Sequence, residues 1–411
     1  MSLSDIDLTD SHVFQEGTPH HWFKELREKE PVYWHPEEDG AGFWCITKWD
    51  DLRHVSRNPL LFSSEVGGTM MRDMEAEQQE RAREMGQRFP IMLNMDPPRH
   101  VKFRRIVQRS FTPRYVEQQE GHIRDLAVRT VGAVASRGEA EFVGEVAAEL
   151  PLQVICEMMA VDPDDRKDIF DISNRMIGFD DPELGGSRDE QAQQTGQMQM
   201  FGHAMKVAEK YRDEPGDNLT SKLLHHEVDG EKLNEIEYCA FFLLLCVAGN
   251  ETTRTVTTNG MKQLIAHPDQ LQLLVENPSL IPSAIEEIVR YDPAVHHFRR
   301  TAMEDTEIRG KQIRKGDKVV IWYPSANRDE EIFEDPDRFD VARKHNEHLA
   351  FGIGEHFCLG ANLARLELQL ILEQIISRLR NPEHTGPVRR LRSNFINGVK
   401  EMQIKFTPEQ V

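Results

Sequence analysis

A glycine-rich loop that carries a cysteine is the segment of the sequence best equipped for chemistry. Residues 351–360 read FGIGEHFCLG, and the amphipathic helix pattern LELQLILEQIISRL follows at 366–379. The glycines allow another body to approach the chain closely around Cys358. A thiolate just ahead of a helix N-terminus is stabilised by free N–H groups and the helix dipole, which lower its pKa and favour metal ligation. A metal-ligating thiolate and a buried cysteine in a turn are equally open interpretations of this segment alone.

A polar interruption of an apolar helix is the second candidate site. Residues 241–258 read FFLLLCVAGNETTRTVTT, which places Gly249, Glu251 and Thr252 inside the helix against its propensity. A carboxylate followed by a hydroxyl, beside a glycine that opens the helix, can hold water and relay protons to a group on that face. An ordinary helix end with polar residues is the alternative.

A basic segment at 96–114, DPPRHVKFRRIVQRSFTPR, is the third candidate. His100 and Arg104 lie one helical turn apart, and both can donate to an anionic group. A solvated basic helix face explains the spacing equally well. Residues 97–116 contain no Asp or Glu, although the chain carries a formal charge of -20. Such a patch can dock an acidic electron donor. Its basic residues are Arg99, Lys102, Arg104, Arg105, Arg109 and Arg114.

A longer pattern removes the ambiguity at the cysteine. The phrase FGxGxHxCxGxxLAR, which ends at Arg365, resembles the haem-binding signature of the cytochrome P450 family. The resemblance implies that Cys358 is the axial ligand of the iron of haem b, and that Phe351 and Gly360 contact the haem. DPPxHxxxR at 96–104 and AGNETT at 248–253 resemble further family motifs in the family's order.

These motifs imply roles for the other candidate residues. Glu251 and Thr252 would deliver protons for cleavage of the O–O bond, and Gly249 would leave room for oxygen. The haem propionates would be bound by a set of four side chains, His100, Arg104, Arg300 and His356.

A glutamate and an arginine three residues apart, Glu287 and Arg290, form a weak pattern when taken alone, because surface pairs of this spacing are common. ExxR, followed by DPDRFDVAR, resembles the family's buried glutamate-arginine network. The third member would be Arg343 or Arg338. A buried charge network of this kind mainly fixes geometry.

The elements that must position these residues are mostly helical. Apolar spacing of three and four predicts helices over 121–136, 150–160, 238–265, 271–275, 281–291 and 363–379. Short strands are predicted at 43–47, 306–309, 318–323 and 402–406. No Pro-, Gly- or Ser-rich linker divides the chain. We therefore expect one domain over residues 1–411, mainly α with a minor β-sheet, with haem between the long central helix and the Cys loop.

Composition excludes several classes of protein. The 70 acidic residues, against 50 basic ones, make nucleic acid an improbable partner. The most apolar stretch, residues 240–249, is too short to span a bilayer, and the first residues lack the pattern of a signal peptide. We therefore expect no membrane anchor, a cytoplasmic location and a monomer. Cys45, Cys156, Cys239 and Cys246 lie among apolar neighbours and are predicted core residues. The charged run at 72–88 predicts a mobile surface segment that can act as a lid.

The function that follows from the resemblance is monooxygenation. We expect hydroxylation of a C–H bond in an apolar molecule by O2, with two electrons from a ferredoxin and its reductase, because no fused redox module is evident. A sterol or terpenoid is favoured over a fatty acid or alkane. Candidate pocket segments are 66–95, 172–184, 293–298 and 395–399. Two alternative functions are a peroxide-driven peroxygenase and a non-catalytic haem-binding protein. Peroxygenases that resemble this family lack the acid–alcohol pair, which is present here. A non-catalytic haem protein would need neither a proton relay nor a patch that docks an electron donor.

Overall fold

Helices make up most of the structure, a computed structural model that describes residues 2–38, 40–72, 90–184, 190–228 and 230–410. The first helices are α1 (Ser11–Glu16), α2 (His20–Lys29), α3 (Trp49–Arg57), α4 (Arg99–Val107), α5 (Pro113–Gln118), α6 (Glu120–Ala135), α7 (Glu149–Met158) and α8 (Arg166–Ile177). They are followed by α9 (Glu190–Tyr211), α10 (Leu219–His225), α11 (Glu235–Ala266), α12 (Pro268–Glu276), α13 (Ile281–Tyr291), α14 (Tyr323–Ala326) and α15 (Ala361–Arg378).

The strands are short and form small sheets. They are β1 (Val32–His35), β2 (Phe43–Ile46), β3 (Phe62–Ser63), β4 (Glu139–Glu141), β5 (His297–Ala302), β6 (Thr306–Ile308), β7 (Lys311–Ile313), β8 (Lys318–Trp322), β9 (Arg380–His384), β10 (Arg389–Arg390), β11 (Val399–Glu401) and β12 (Gln403–Thr407). The largest sheet has the order β1-β2-β8-β5-β3, in which β2 and β8 are parallel and the other neighbours antiparallel. A second sheet has the order β4-β12-β9. The mainly helical architecture with minor sheets is confirmed.

The periodicity located the long elements well. Each of the six predicted helices and four predicted strands overlaps an observed one. The most informative omission is β5, the second central strand of the large sheet, whose sequence HFRRTA does not alternate. Arg299 and Arg300 are both buried within it. A strand covered on both faces loses the alternating pattern that identifies a strand at a surface.

The central helix α11 spans 32 residues and is the core element against which α7, α8, α9 and α15 pack. Asn234 caps its first turn, because its side chain accepts from the N–H of Glu237, whose carboxylate accepts in return from the N–H of Asn234. Most of its residues between Tyr238 and Leu264 are buried, which matches the apolar run at 238–249. Among the described residues, no helix is long and apolar enough to cross a membrane.

The glutamate-arginine network is present and has Arg343 as its third side chain. Glu287 accepts from Nε of Arg290 at 2.7 Å and from Nε of Arg343 at 3.0 Å. Arg338 contributes only its backbone carbonyl oxygen, which accepts from both arginines. The network ties α13 to the irregular segment that precedes the Cys loop.

Other expectations have simpler outcomes. Cys45, Cys156, Cys239 and Cys246 are buried, as predicted. The predicted lid at 72–88 lies, apart from Arg72, outside the described residues.

One buried carboxyl on α15 generates a stability prediction. Glu367 is buried, and its Oε2 has no hydrogen-bond partner among the described residues. Burial raises its pKa from 4.5 to about 8. The folded protein then retains a proton that the unfolded chain releases, so the carboxyl makes stability fall as the pH rises from 4.5 towards 8.

Glu367→Gln should remove this loss, because glutamine is neutral throughout. The free energy of unfolding of the variant, relative to the wild type, should increase by up to about 1.4 kcal/mol per pH unit within that window. Urea unfolding at several pH values measures this slope, and Glu117→Gln, at an exposed glutamate, is the control. Parallel pH dependence of Glu367→Gln and the wild type would contradict the prediction.

Candidate functional site

The Cys358 loop is held by backbone contacts on both sides. Gly352 and Gly354 adopt φ of 70° and 78°, which favour glycine. A Cβ on Gly354 would come within 2.7 Å of the carbonyl oxygen of Ser56 in α3, so the loop packs directly on that helix. The N–H of Cys358 donates to the carbonyl oxygen of Phe351 at 2.8 Å. We predicted that these glycines let another body come close to the loop. At Gly354, that body is helix α3.

Cys358 differs from the other four cysteines, because it is solvent-accessible while they are buried. Its thiol nevertheless lies deep among neighbouring protein atoms, and this desolvation raises its pKa more than the N–H of Gly360 and the charges of Arg104 and Arg365 lower it. The predicted lowering of the pKa is therefore wrong for the protein alone. A coordinated metal ion deprotonates a thiol outright, so the raised pKa of the free thiol is compatible with a role as a metal ligand.

Two histidines meet beside this loop. The rings of His100 on α4 and His356 lie 4.2 Å apart between centroids. Both nitrogens of His100 and Nε2 of His356 lack hydrogen-bond partners among the described residues. Burial, together with the charges of Arg104 and Arg300, lowers the pKa of His100 to about 4. Burial, with Arg300, His100 and Arg104, lowers the pKa of His356 to about 2.

Two arginines complete this group, which we call the donor cluster: His100, Arg104, Arg300 and His356. Arg300 lies buried on β5 and donates to the carbonyl oxygen of Arg299 at 2.8 Å. Arg104 donates to the carbonyl oxygen of Glu355 at 3.3 Å.

The donor cluster suits an anion. Its four side chains influence one another electrostatically, and the acid that acts on His100 is Asp96. Asp96 is itself occupied, because it accepts from the hydroxyl of Ser63 and, at 2.8 Å, from the N–H of Ser64. Buried donors without partners are costly unless a ligand satisfies them. A thiol beside a cluster that suits carboxylates fits haem, which has an iron and two propionates.

The acid–alcohol pair on α11 is separated in this structure. The hydroxyl of Thr252 donates to the carbonyl oxygen of Ala248 at 2.8 Å. Glu251 is buried, pairs with Arg254 and accepts from the hydroxyl of Thr255 at 3.3 Å. The helix is also regular through Gly249, so the predicted opening is absent.

Arg254 is a residue that the motif analysis missed. Its guanidinium donates to Oδ1 of Asn174 on α8 at 2.8 Å and lies 5.6 Å from the ring centroid of Phe170. Together with Glu251 it forms a polar link between α11 and α8. The spacing of Glu251 and Arg254, three residues apart on one helix, was the available signal.

An apolar cluster lies where α8, α11, β5 and the C-terminal segment meet. Its buried members are Ile177, Leu391 and Ile396. Partly buried side chains packed on them are Leu184, Val247, Val295 and Phe395. Three of the four predicted pocket segments, 172–184, 293–298 and 395–399, thus come together beside α11.

Ion pairs hold the C-terminal strands to the segment after α8, next to this apolar cluster. Asp181, just after α8, accepts from the N–H of Arg392 at 3.0 Å and from Lys400 at 2.8 Å. Glu183 accepts from Lys400 at 3.0 Å and from Arg389 at 2.5 Å. These pairs join the segment after α8 to the C-terminal strands.

The basic patch on α4 and α5 is only partly outward-facing. Arg109 and Arg114 are exposed, and Lys102 pairs with Glu231 at 2.7 Å. Arg104 belongs to the donor cluster, so the patch and that cluster share one short stretch of chain.

Comparison with known proteins agrees with this geometry. The family model for cytochrome P450 matches residues 152–406. A steroid C26-monooxygenase of Rhodococcus jostii (strain RHA1) is 42% identical over 409 residues, which are 98% of this chain and 84% of that protein. A methyl-branched lipid omega-hydroxylase of Mycobacterium tuberculosis (strain ATCC 25618 / H37Rv) is 40% identical over 418 residues, covering 98% and 95% of the two chains.

A solved structure shows the same fold. A Mycobacterium marinum cytochrome P450 in complex with pseudoionone has a TM-score of 0.89 and 35% identity, with 98% of each chain covered. Motif order, fold and relatives along nearly the whole chain lead to one conclusion: this chain belongs to the cytochrome P450 family of haem-dependent monooxygenases.

Proposed function

We propose that this cytochrome P450 binds haem b through Cys358 and hydroxylates a sterol, steroid or terpenoid with O2 and electrons from a ferredoxin and its reductase. The observation that carries the proposal is the exposed thiol of Cys358 beside the donor cluster. His100, Arg104, Arg300 and His356 would bind the propionates. Phe351 would lie against the haem, and Gly360 would leave space for it while its N–H donates to the sulfur.

Bound haem supplies the one-electron redox chemistry and the activation of O2. The protein supplies proton delivery and the pose of the substrate. The hydroxyl of Thr252, now donating to Ala248, can turn its proton outward by rotation of one side-chain bond. Glu251 can hold the next proton once Arg254 releases its carboxylate. Gly249, without a side chain, would keep this part of α11 accessible.

The substrate class rests on the apolar cluster and on relatives. The cluster of Ile177, Leu391, Ile396 and their neighbours offers aliphatic and aromatic contacts. One relative is a steroid monooxygenase and one structural neighbour holds pseudoionone. The methyl-branched lipid hydroxylase keeps a fatty-acid-like substrate as the second candidate.

We also propose that residues 1–411 form a single domain. Strands β1 to β3 pair in one sheet with β5 and β8, and β4 pairs with β12. Early and late segments of the chain thus complete the same sheets, which supports one folding unit.

Turnover tests the function directly. The purified protein, NADH, a ferredoxin and its reductase should convert a steroid or terpene that also shifts the Soret band on titration. Thr252→Ala should consume NADH at a similar rate but form roughly a hundredfold less product, because positioned proton delivery contributes about a hundredfold or more. Thr257→Ala, on the same helix, is the control. Equal product yield from Thr252→Ala would contradict the proposed relay. Turnover with peroxide but none with NADH, the ferredoxin and its reductase would contradict the proposed ferredoxin-dependent function.

Haem retention tests the donor cluster. His100→Phe preserves a ring but removes two nitrogens that bind nothing else among the described residues. Loss of a hydrogen bond to a charged group costs about 1.5–3 kcal/mol, so haem should transfer to excess apomyoglobin roughly tenfold faster or more. The control is Arg314→Gln, at an exposed arginine. An unchanged transfer rate would show that His100 does not bind the haem.

Reduction kinetics test the ferredoxin. Arg109→Gln combined with Arg114→Gln should slow reduction by an acidic ferredoxin several-fold and flatten its dependence on ionic strength, because exposed charges act mainly on the association rate. Arg314→Gln with Lys315→Gln removes the same charge from the β7–β8 turn as a control. Unchanged kinetics in the patch variant would refute docking there.

A further inference from the structure

A bidentate ion pair joins α13 to the helix that follows the Cys loop. Glu286 accepts from Nε of Arg365 at 2.7 Å and from Nη2 at 2.8 Å. This fork geometry is specific to arginine and stronger than a single ionic contact. The pair spans 79 residues of sequence, from α13 to α15.

A third donor completes the environment of Glu286. Nε2 of His348 lies 3.0 Å from Oε2 of Glu286. The N–H of Ala350 donates to Nδ1 of the same ring at 3.2 Å. Because Nδ1 accepts, the proton of a neutral ring lies on Nε2 and is donated to Glu286. Burial would raise the pKa of Glu286, but the bonds from Arg365 and His348 outweigh it and lower the pKa to about 2.

Arg365 links this pair to the cysteine. Its guanidinium lies 4.5 Å from the ring centroid of Phe351, a distance typical of a cation–π contact. The carbonyl oxygen of Phe351 accepts from the N–H of Cys358 at 2.8 Å. Arg365 and Cys358 also interact electrostatically. Three contacts therefore connect Glu286 to the backbone of Cys358: an ion pair, a cation–π contact and a backbone hydrogen bond.

The adjacent glutamate has a different task. Glu287 is fully buried and serves Arg290 and Arg343 in the network that supports the fold. The side chain of Glu286 is 28% exposed and that of Arg365 is 36% exposed. A partly exposed pair can lose its charge without leaving a deeply buried ion unpaired, so it can be varied separately from the fold.

We propose that Glu286 is a positioning residue that holds Arg365 on Phe351 and, by neutralising its charge, sets the reduction potential of the iron bound at Cys358. The inference rests on the proposed assignment of Cys358 as the axial ligand. Reduction of the iron adds one electron near the Glu286–Arg365 pair, so a positive charge nearby favours reduction and a negative charge opposes it. Glu286 thus keeps the guanidinium in place while limiting its effect on the iron.

Redox titration of the holoprotein tests the proposal. Glu286→Gln keeps one acceptor for Arg365 and removes the negative charge, so reduction should become about tenfold more favourable, which is about 59 mV for one electron. Arg365→Gln should shift the potential in the opposite direction. The double variant Glu286→Gln/Arg365→Gln should return close to the wild type, because the two charges cancel. A purely structural pair would change thermal stability without this pattern of signs.

The matched control is Glu373→Gln, which removes the same charge from an ion pair with Arg124 farther along α15. Its potential should stay at the wild-type value. If Glu286→Gln and Arg365→Gln shift the potential no more than this control, or in the same direction as each other, the role of Glu286 is refuted. If the wild type lacks a thiolate-type spectrum with carbon monoxide, the ligand assignment of Cys358 fails instead.

Discussion

The buried charge of Glu287 is the constraint on which the Cys358 loop depends. This carboxylate and the side chain of Arg290 have no exposure to solvent. Arg290 also donates to the carbonyl oxygens of Asn327 and Pro336, each at 2.9 Å, and Oδ1 of Asn327 accepts from the N–H of Leu349 at 2.7 Å. An uncompensated charge at this depth would cost several kcal/mol, so the irregular chain before the Cys loop must close around it. The position of the thiol follows from that closure.

The structure gathers two kinds of side chain in different segments. α4 and β5 contribute to the donor cluster, in which His100 and Arg300 are buried. The end of α8, together with α11 and the C-terminal segment, contributes to the apolar cluster. Glu251 pairs with Arg254, which in turn donates to Asn174 on α8. In the proposed function, this link would couple proton delivery to the packing of α8. If the proposed function holds, the donor cluster binds the cofactor and the apolar cluster binds the substrate, so different segments carry the two tasks.

The sequence pattern predicted the elements that are determined by interactions between residues close together in the chain. Helices such as α11 and α15, and the loop at Cys358, carry their signal within a few residues. Contacts between distant segments left no local signal: Arg365 meets Glu286 only in the folded chain. The pairing of Arg343 with Glu287 was anticipated, together with the alternative Arg338, only through the family resemblance. Strand β5 was missed because Arg299 and Arg300 are both buried in it, so its sequence lacks the polar–apolar alternation of a surface strand and departs from the usual preference of Arg for the surface. The lowered pKa expected for Cys358 was wrong because burial outweighs the helix terminus.

The central claim is that Cys358 provides the thiolate that binds the iron. The most direct measurement is the absorption spectrum of the reduced protein with carbon monoxide, for the wild type, Cys358→Ser and Cys156→Ala, the last at a buried core cysteine. The account predicts the red-shifted Soret band of thiolate ligation in the wild type and Cys156→Ala, and its loss in Cys358→Ser. Retention of that band by Cys358→Ser would contradict the account.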